Sequence, residues 1–334
     1  MKIFVTGVAG FLGSHLADAF IARGFEVVGI DNLIGGYRDN VPDGVKFIEG
    51  DLGNLDLVVE AMRGCDLVYH TACTAYEGLS VFSPSLIAQN TFQISVNTMT
   101  AACITKVGRF VHCSSMARYG TQSVTPFTED MVPLPQDPYG IAKYGAELML
   151  RNMAEVHGVE LVIAVPHNIV GPRQKYDDPF RNVASIMINL MLQGRQPIIY
   201  GDGMQVRCFS DIADDVECLV EFALNDKAVG QVFNIGPDEE PITINELAAN
   251  IARLLQFDLQ PIYMPGRPQE VKHATCSADK IRSFFDYQTK VTLEQSLQKL
   301  IEYISARGTK SFEYHLPIEI PSDKTPRTWR DRLF

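Results

Sequence analysis

The chain has 334 residues, of which 46% are hydrophobic and 21% are charged. This composition is typical of a globular protein with one large or two ordinary domains, and it excludes collagen-like, low-complexity and disordered chains. The 29 basic and 40 acidic residues leave a net charge of −11, and such an acidic surface repels nucleic acids and anionic membranes. No stretch approaches the length of a membrane span, and the apolar run at the N-terminus is too short for a signal peptide. We therefore expect a cytoplasmic protein that binds neither nucleic acid nor membrane.

The seven cysteines are an odd number and include no Cys-x-x-Cys pair. Most of them lie in apolar runs, which is typical of reduced, buried thiols rather than of a disulfide framework. The same pattern gives no support to a zinc site, so we predict no bound metal.

From the N-terminus to about Pro166, short β-branched runs alternate with longer stretches whose apolar residues recur every three or four positions. This alternation predicts βαβ units around a parallel sheet, an α/β fold of the doubly wound Rossmann type. The predicted strands are Ile3–Val5, Glu26–Ile30, Val45–Ile48, Leu67–His70, Phe110–Cys113 and Leu161–Val165. The predicted helices are Phe11–Ala22, Leu55–Met62, Leu86–Thr105 and Tyr139–Val156.

The second half of the chain has more proline and glycine, with short predicted strands at Ile198–Tyr200 and Val232–Ile235. Two helices are predicted to begin at capping boxes, at Thr243–Glu246 and Thr292–Gln295. We therefore divide the chain into a Rossmann domain of residues 1–166 and a smaller lobe with a C-terminal tail of residues 167–334. Some of the later segments are expected to return to the first domain.

A strand, a glycine-rich turn and a helix start follow one another within the first thirteen residues. Gly7 permits a tight turn, Gly10 lets the backbone approach a pyrophosphate, and Gly13 lets the helix pack on the strand. Asp31 ends the next strand, where a carboxylate can bind the 2′-hydroxyl of an adenine ribose and repels a 2′-phosphate. Asp51, after the third strand, is a candidate for the adenine edge. The alternative is a purely structural turn with a solvated aspartate, but the combination favours an NAD site.

Tyr139 and Lys143 lie four residues apart in a predicted helix and therefore on one face of it. A free tyrosine is a poor base near neutrality because its pKa is about 10, and a nearby lysine and a cationic nicotinamide both favour the phenolate. Ser115 follows a buried strand at the edge where parallel sheets bind ligands, and it can share a proton between a substrate hydroxyl and Tyr139. The alternative is a surface tyrosine beside a solvated lysine.

These motifs, in this order, resemble those of the extended short-chain dehydrogenase/reductases, and specifically the NAD-dependent sugar-nucleotide epimerase/dehydratase family. The resemblance runs from residue 1 to about residue 305. The matching stretches are Thr6–Gly13, Asp31–Asn32, Gly50–Leu52, His70–Ala72, Ser114–Gly120, Tyr139–Lys143, His167–Pro172, Tyr200–Arg207 and Arg267–Glu270.

The resemblance implies roles for individual residues. Those implied to hold NAD are Gly7, Gly10, Phe11, Leu12, Gly13, Asp31, Asn32, Asp51, Leu52, Ala72, Tyr139 and Lys143. Those implied to bind the nucleotide-diphosphate sugar are Ser115, Asn168, Arg207, Arg267 and Glu270. Ser115, Tyr139 and Lys143 are the implied catalytic residues. Local guanidinium groups are what a diphosphate needs in an acidic protein.

The residues between Ser115 and Tyr119 select a branch of the family. Dehydratases carry an acid and a base here, and uronic acid decarboxylases carry a glutamate at the position of Ala117. Neither Met116 nor Ala117 can transfer a proton. The resemblance therefore implies a 4-epimerase acting on a UDP-hexose, UDP-N-acetylhexosamine or UDP-uronate through a 4-keto intermediate. The alternatives are a sugar-nucleotide reductase or dehydrogenase, an atypical dehydratase, and a non-catalytic NAD-binding regulator.

Two residues depart from the family pattern. Arg118 stands where relatives usually carry a small apolar residue, and we expect it to contact the substrate or a partner subunit. Cys73 places a thiol near the cofactor, and we expect it to be packed and inert. Family members commonly pair through the helices that correspond to Leu86–Thr105 and Tyr139–Val156, so the resemblance also implies a homodimer.

Overall fold

The computed structural model describes residues 1–334. The strands are β1 Lys2–Thr6, β2 Glu26–Asp31, β3 Val45–Glu49, β4 Leu67–His70, β5 Arg109–Cys113, β6 Glu160–Pro166, β7 Ile169–Val170, β8 Ile198–Tyr200, β9 Val206–Arg207, β10 Ser210–Asp211, β11 Val232–Ile235, β12 Ile242–Thr243, β13 Ile262–Met264 and β14 His273–Ala274. The helices are α1 Phe11–Ala22, α2 Leu55–Met62, α3 Glu77–Ser80, α4 Pro84–Ile87, α5 Ile94–Thr105, α6 Pro138–His157, α7 Val183–Leu192, α8 Ile212–Leu224, α9 Ile244–Leu255, α10 Asp279–Phe285, α11 Leu293–Arg307 and α12 Arg327–Arg330.

Seven parallel strands form the central sheet, in the order β11-β6-β5-β4-β1-β2-β3. The chain builds outward from β1 to β3, then crosses back to β4 and continues to the opposite edge. The strand order therefore reverses between β1 and β4, and such a switch point is where doubly wound sheets bind ligands, beyond the carboxyl ends of the strands. The predicted Rossmann-type fold is confirmed.

Buried apolar side chains cover both faces of the sheet. On one face α1 and α8 contribute Phe20 and Phe222, which are fully buried. On the other face α2 and α5 contribute Met62 and Met99. Burial of each such side chain stabilises the fold by roughly 1.5–3 kcal/mol, so the strand ends are held on a rigid layer. A separate cluster joins α7, α9 and α11 in the smaller lobe.

The predicted helix Leu86–Thr105 is helical throughout, but its first half is not a regular α-helix. The chain forms the single turn α4, then a π-helical segment over residues 88–93, and only then the regular helix α5. A π-helical segment is a short insertion within an α-helix, so the apolar pattern of the whole stretch predicts the helix and not the local change in its hydrogen bonds. The π-helical segment lies beside a cavity that Asn90 and Ile94 help to line, and such segments are frequent at functional sites.

The second half of the chain contributes to both layers. Strand β11 pairs with β6 and so belongs to the central sheet, although it is far from the other sheet strands in sequence. Both predicted capping boxes are present, at Thr243 with Glu246 and at Thr292 with Gln295. No helix combines the length and apolar character that crossing a membrane requires. No group of three or more His, Cys, Asp or Glu side chains is placed to hold a metal ion.

Candidate active site

Two adjoining cavities lie at the carboxyl edge of the sheet. The first, which we call the cofactor cavity, is lined by the glycine turn, the ends of β2, β4 and β5, and the start of α6. The second, the substrate cavity, lies between the sheet edge and the smaller lobe. Residues that line both define the junction between them: Ala75, Glu77, Asn168, Ile169, Gln174, Arg181 and Asn182.

The glycine turn leaves no space for side chains. A Cβ atom on Gly13 would lie 2.2 Å from the carbonyl oxygen of Gly7, and Gly7 itself has φ of 71°, a conformation that favours glycine. The N-terminal backbone of α1 therefore faces the cofactor cavity directly, as phosphate binding at a helix N-terminus requires. The cradle fits the pyrophosphate of a dinucleotide.

Asp31 joins the glycine turn to the end of β2. One carboxylate oxygen accepts the Ala9 N–H at 2.9 Å and the other accepts the Leu33 N–H at 2.7 Å. Burial raises the pKa of Asp31, and these backbone hydrogen bonds oppose the rise. Asp31 thus fixes the turn while it lines the cofactor cavity.

The catalytic candidates are held by backbone contacts at the end of β5 and the start of α6. Asp137 caps α6 by accepting the Gly140 N–H at 3.0 Å, and Pro138 occupies the first turn. This places Tyr139 and Lys143 on the buried face, 5% and 1% exposed. The ammonium of Lys143 donates to the Cys113 carbonyl at 2.8 Å.

Ser115 begins a 3-10 turn, and its hydroxyl accepts the Ala117 N–H at 3.2 Å. Burial raises the pKa of Tyr139 well above its ordinary value, and the Cys73 thiol and Glu77 add to the rise. A hydrogen bond with Ser115 and the charge of Arg181 oppose it. Within the chain, Ser115 and Arg181 are therefore the main groups that lower the pKa of Tyr139, whereas the sequence pattern indicated Lys143 for this role.

The residues proposed for the diphosphate line the substrate cavity. Arg207 donates to the carbonyl groups of Val206 and Val271, each at 2.8 Å, which fixes its guanidinium. Arg267 pairs with Glu270 at 2.6 Å. Asn168 lies at the junction with φ of 45°. The predicted cofactor residues all line the cofactor cavity, as does Ser115.

The family described as "NAD dependent epimerase/dehydratase family" matches residues 3–236. The chain belongs to this family. The UDP-glucose 4-epimerase of Mycolicibacterium smegmatis is 30% identical to it over 312 residues, which cover 91% of this chain and 98% of that protein. The UDP-N-acetyl-alpha-D-glucosaminuronate decarboxylase of Bacillus cytotoxicus is 27% identical over 317 residues, which cover 90% of this chain and 97% of that protein.

Among solved structures, the UDP-glucuronic acid 4-epimerase from Bacillus cereus, in complex with UDP-glucuronic acid and NAD, superposes with a TM-score of 0.86 at 28% identity. The match covers 92% of this chain and 100% of that one. The predicted family is therefore confirmed, and the protein is an enzyme of the epimerase/dehydratase family with NAD as its cofactor.

In this epimerase/dehydratase, the expectation that Arg118 contacts the substrate or a partner subunit is wrong. It is 4% exposed, so it reaches neither a partner surface nor the cavities. Its Nη1 atom lies 3.1 Å from Oε2 of Glu147 on α6, and the other carboxylate oxygen accepts the Ser114 hydroxyl. Arg118 thus pairs with a carboxylate inside the protein. This ion pair connects the 3-10 turn after Ser115 to α6, the helix that carries Tyr139.

Several cavity residues of this family member gave no sequence signal. Arg181 lines the junction, and Trp329 and Phe334 from the C-terminal tail line the substrate cavity. The Trp329 indole donates to the Pro179 carbonyl at 3.0 Å, which fixes the tail against this wall. These residues lie in loops and in the tail, which have no periodicity or motif to interpret. The thiol of Cys73 is half-buried in the cofactor cavity.

Proposed function

We propose that the protein is a 4-epimerase of nucleotide-diphosphate sugars, with UDP-sugars as its substrates. The observation that carries the proposal is the convergence of Ser115, Tyr139 and Lys143 in the cofactor cavity, while Met116 and Ala117 supply no second acid–base pair beside them. The similarity to UDP-sugar 4-epimerases supports the same choice.

Tyr139 is the proposed base. Its phenolate accepts the proton of the sugar 4-hydroxyl as the C4 hydride departs, and its phenol returns that proton when the hydride comes back. Ser115 holds the same hydroxyl by a hydrogen bond, and Lys143 contributes its positive charge to the buried site. When bound, NAD supplies the hydride acceptor and donor, together with a positive charge that opposes the effect of burial on Tyr139. The cycle leaves no net oxidation.

Inversion requires the 4-keto sugar to present its opposite face before the hydride returns. The proposed anchor for this rotation is the diphosphate, bound in the substrate cavity by Arg207 and Arg267. Because backbone carbonyls fix the guanidinium of Arg207, it can hold a dianion in place while the sugar turns. The keto sugar thus stays attached to the site through its nucleotide.

An atypical dehydratase is the second candidate, and Glu77 is the observation that favours it. Its carboxylate is exposed to both cavities, and desolvation within them together with the nearby Asp137 raises its pKa. A carboxyl group of this kind can act as an acid in an elimination. A decarboxylase is less well supported because Ala117 stands where the family's glutamate is expected.

Proton NMR of the purified protein with UDP-glucose, UDP-N-acetylglucosamine, UDP-glucuronate and GDP-mannose in turn, without added cofactor, tests the proposal. We expect the 4-epimer of one UDP-sugar to accumulate to equilibrium, because the cofactor is regenerated in every cycle. Turnover only with stoichiometric NAD or NADH would assign net redox chemistry instead. A 6-deoxy-4-keto product would assign the dehydratase, and the Tyr139→Phe variant controls for contaminating activity.

We further propose that two copies of the chain pair through α5 and α6. Ile141, Leu148, Met149 and Val156 follow one face of α6 and are exposed in the single chain, as is Ile104 on α5. Apolar residues repeated along one helix face are typical of helix–helix contacts.

Leu148→Glu is expected to convert the dimer to a monomer, because it places a charge at the centre of the proposed contact. Light scattering coupled to size-exclusion chromatography measures the mass. Ile320→Glu, on an apolar residue of similar exposure in the C-terminal tail, is the matched control and is expected to remain dimeric. A wild-type protein that runs as a monomer at micromolar concentration contradicts the proposal.

A further inference from the structure

Arg181 is a cation at the junction of the two cavities, and the proposed mechanism assigns it no contact with the substrate. It lies between Asp178 and α7 along the chain, and its positive charge interacts with both Tyr76 and the proposed base Tyr139. It lines the cofactor cavity and the substrate cavity alike. Its guanidinium therefore lies where the sugar would meet Tyr139.

Arg181 differs from the two buried arginines, Arg109 and Arg118, each of which has a carboxylate partner. Arg109 pairs with Glu160 and Arg118 with Glu147. Arg181 forms no such pair within the chain. Its Nε donates to the Asn182 side chain at 3.3 Å, and its guanidinium lies 5.4 Å from the centre of the Tyr76 ring.

The acid beside Arg181 in sequence is already engaged elsewhere. One oxygen of Asp178 accepts the Tyr76 hydroxyl, and the other accepts the Phe180 N–H at 2.9 Å. These hydrogen bonds hold the carboxylate in the loop without an ion pair to Arg181. The guanidinium is thus held beside the cavity without an ion-pair partner, as a site for an anion requires.

The diphosphate does not account for this charge. Arg207 and Arg267 line the substrate cavity and not the cofactor cavity, and their two guanidinium groups can bind the diphosphate. Arg181 instead lies with Cys73 and Tyr139, at the end where the sugar ring is placed by the proposed function. An anion at this end must belong to the sugar itself.

We propose that Arg181 binds a carboxylate on the sugar, so that the substrates are UDP-uronates rather than neutral UDP-hexoses. The inference rests on the proposed function, which places C4 at Tyr139. Since C6 is attached to C5, the neighbour of C4, a C6 carboxylate lies beside Tyr139, whereas a C2 N-acetyl group lies toward the diphosphate. The planar guanidinium matches a carboxylate with two parallel hydrogen bonds.

The test compares UDP-glucuronate with UDP-glucose, which differ only at C6. For the wild type we expect kcat/KM to favour the uronate by about 100-fold, as for a bidentate charge-assisted pair, and Arg181→Gln to abolish most of that preference. Arg181→Lys keeps the positive charge but not the planar guanidinium, so its preference for UDP-glucuronate is expected to lie between those of the wild type and Arg181→Gln. Arg63→Gln, on an exposed arginine of the protein surface, is the control, with the wild-type preference expected.

Two results would overturn the inference. A wild type that uses UDP-glucose as well as UDP-glucuronate shows that no carboxylate is recognised. An equal loss on both substrates in Arg181→Gln shows that Arg181 acts through the ionisation of Tyr139 instead. Thermal melting of each variant, compared with wild type, establishes that the protein is folded in these assays.

Binding measurements separate failure of this inference from failure of the proposed function. Calorimetry is done with Tyr139→Phe, alone and combined with Arg181→Gln, so that no turnover interferes. We expect UDP-glucuronate to bind about 100-fold more tightly than UDP-glucose, and the ratio to fall toward one in the double variant. If the wild type epimerises no sugar but Tyr139→Phe binds UDP-glucuronate with this preference, the proposed function fails and the carboxylate site stands. If Tyr139→Phe binds the two sugars with a ratio near one, the carboxylate site is overturned.

Discussion

Tyr139→Phe is expected to lower kcat by about 10³-fold, within the usual contribution of a positioned acid–base group. The change removes one hydroxyl from a side chain that is 5% exposed, so the packing of α6 is retained. The glycine turn and Asp31 are untouched, and NAD is expected to remain bound. Turnover is measured by NMR, and bound NAD by chromatography of the nucleotide released on denaturation.

The pH profile gives the Tyr139 experiment a second readout. A base must be deprotonated, and burial raises the pKa of Tyr139, so wild-type kcat/KM is expected to rise with pH on an alkaline limb. This limb is expected to disappear in Tyr139→Phe. Tyr144→Phe removes a hydroxyl from the same helix outside both cavities and is expected to keep both the rate and the limb. Wild-type activity in Tyr139→Phe would eliminate Tyr139 as the base.

Arg118→Met is expected to lower the free energy of unfolding by about 3–5 kcal/mol, the usual consequence of removing one partner of a buried ion pair. The remaining Glu147 is 0% exposed, so its carboxylate would stay out of water with only the Ser114 hydroxyl as a partner. Urea unfolding of the two proteins measures the difference.

The double variant Arg118→Met/Glu147→Gln isolates the cause of that loss. Glutamine keeps an acceptor for Ser114 and removes the uncompensated charge, so the double variant is expected to be more stable than Arg118→Met alone. Arg151→Met is the control, since it replaces an exposed arginine of α6, the helix that carries Glu147. It is expected to change the free energy of unfolding by less than about 0.5 kcal/mol. A loss below 1 kcal/mol in Arg118→Met, or a double variant less stable than it, would contradict a role for this ion pair in stability.

The helices of the Rossmann half were predictable where one periodicity governs the whole segment. Phe11–Ala22 and Leu55–Met62 have the predicted bounds, because each buries a continuous apolar face against the sheet. The segment before α5 is helical as predicted, but residues 88–93 are π-helical, which the apolar pattern did not indicate. Periodicity reports which face is buried, and the hydrogen-bond pattern of the turn does not follow from it.

The role of Arg118 shows a different limit. Its position next to the Ser115 turn suggested a surface or substrate contact, and the partner that decides its role lies on α6. Nothing in the local sequence of either residue indicates the other. A buried charge is stable only with its partner, and that partner is brought to it by the packing of α6 against β6 and against the 3-10 turn that carries Arg118.

The sequence by itself determined the fold class, the family and NAD as the cofactor, because the glycine turn, Asp31 and the Tyr139–Lys143 spacing are each contained in one strand, turn or helix. Backbone geometry within a single element fixes where such residues point. Only the tertiary structure decided that Arg181 and the C-terminal tail line the cavities. Their positions depend on how loops and the smaller lobe pack over the sheet, and that packing comes from buried contacts between segments distant in the chain.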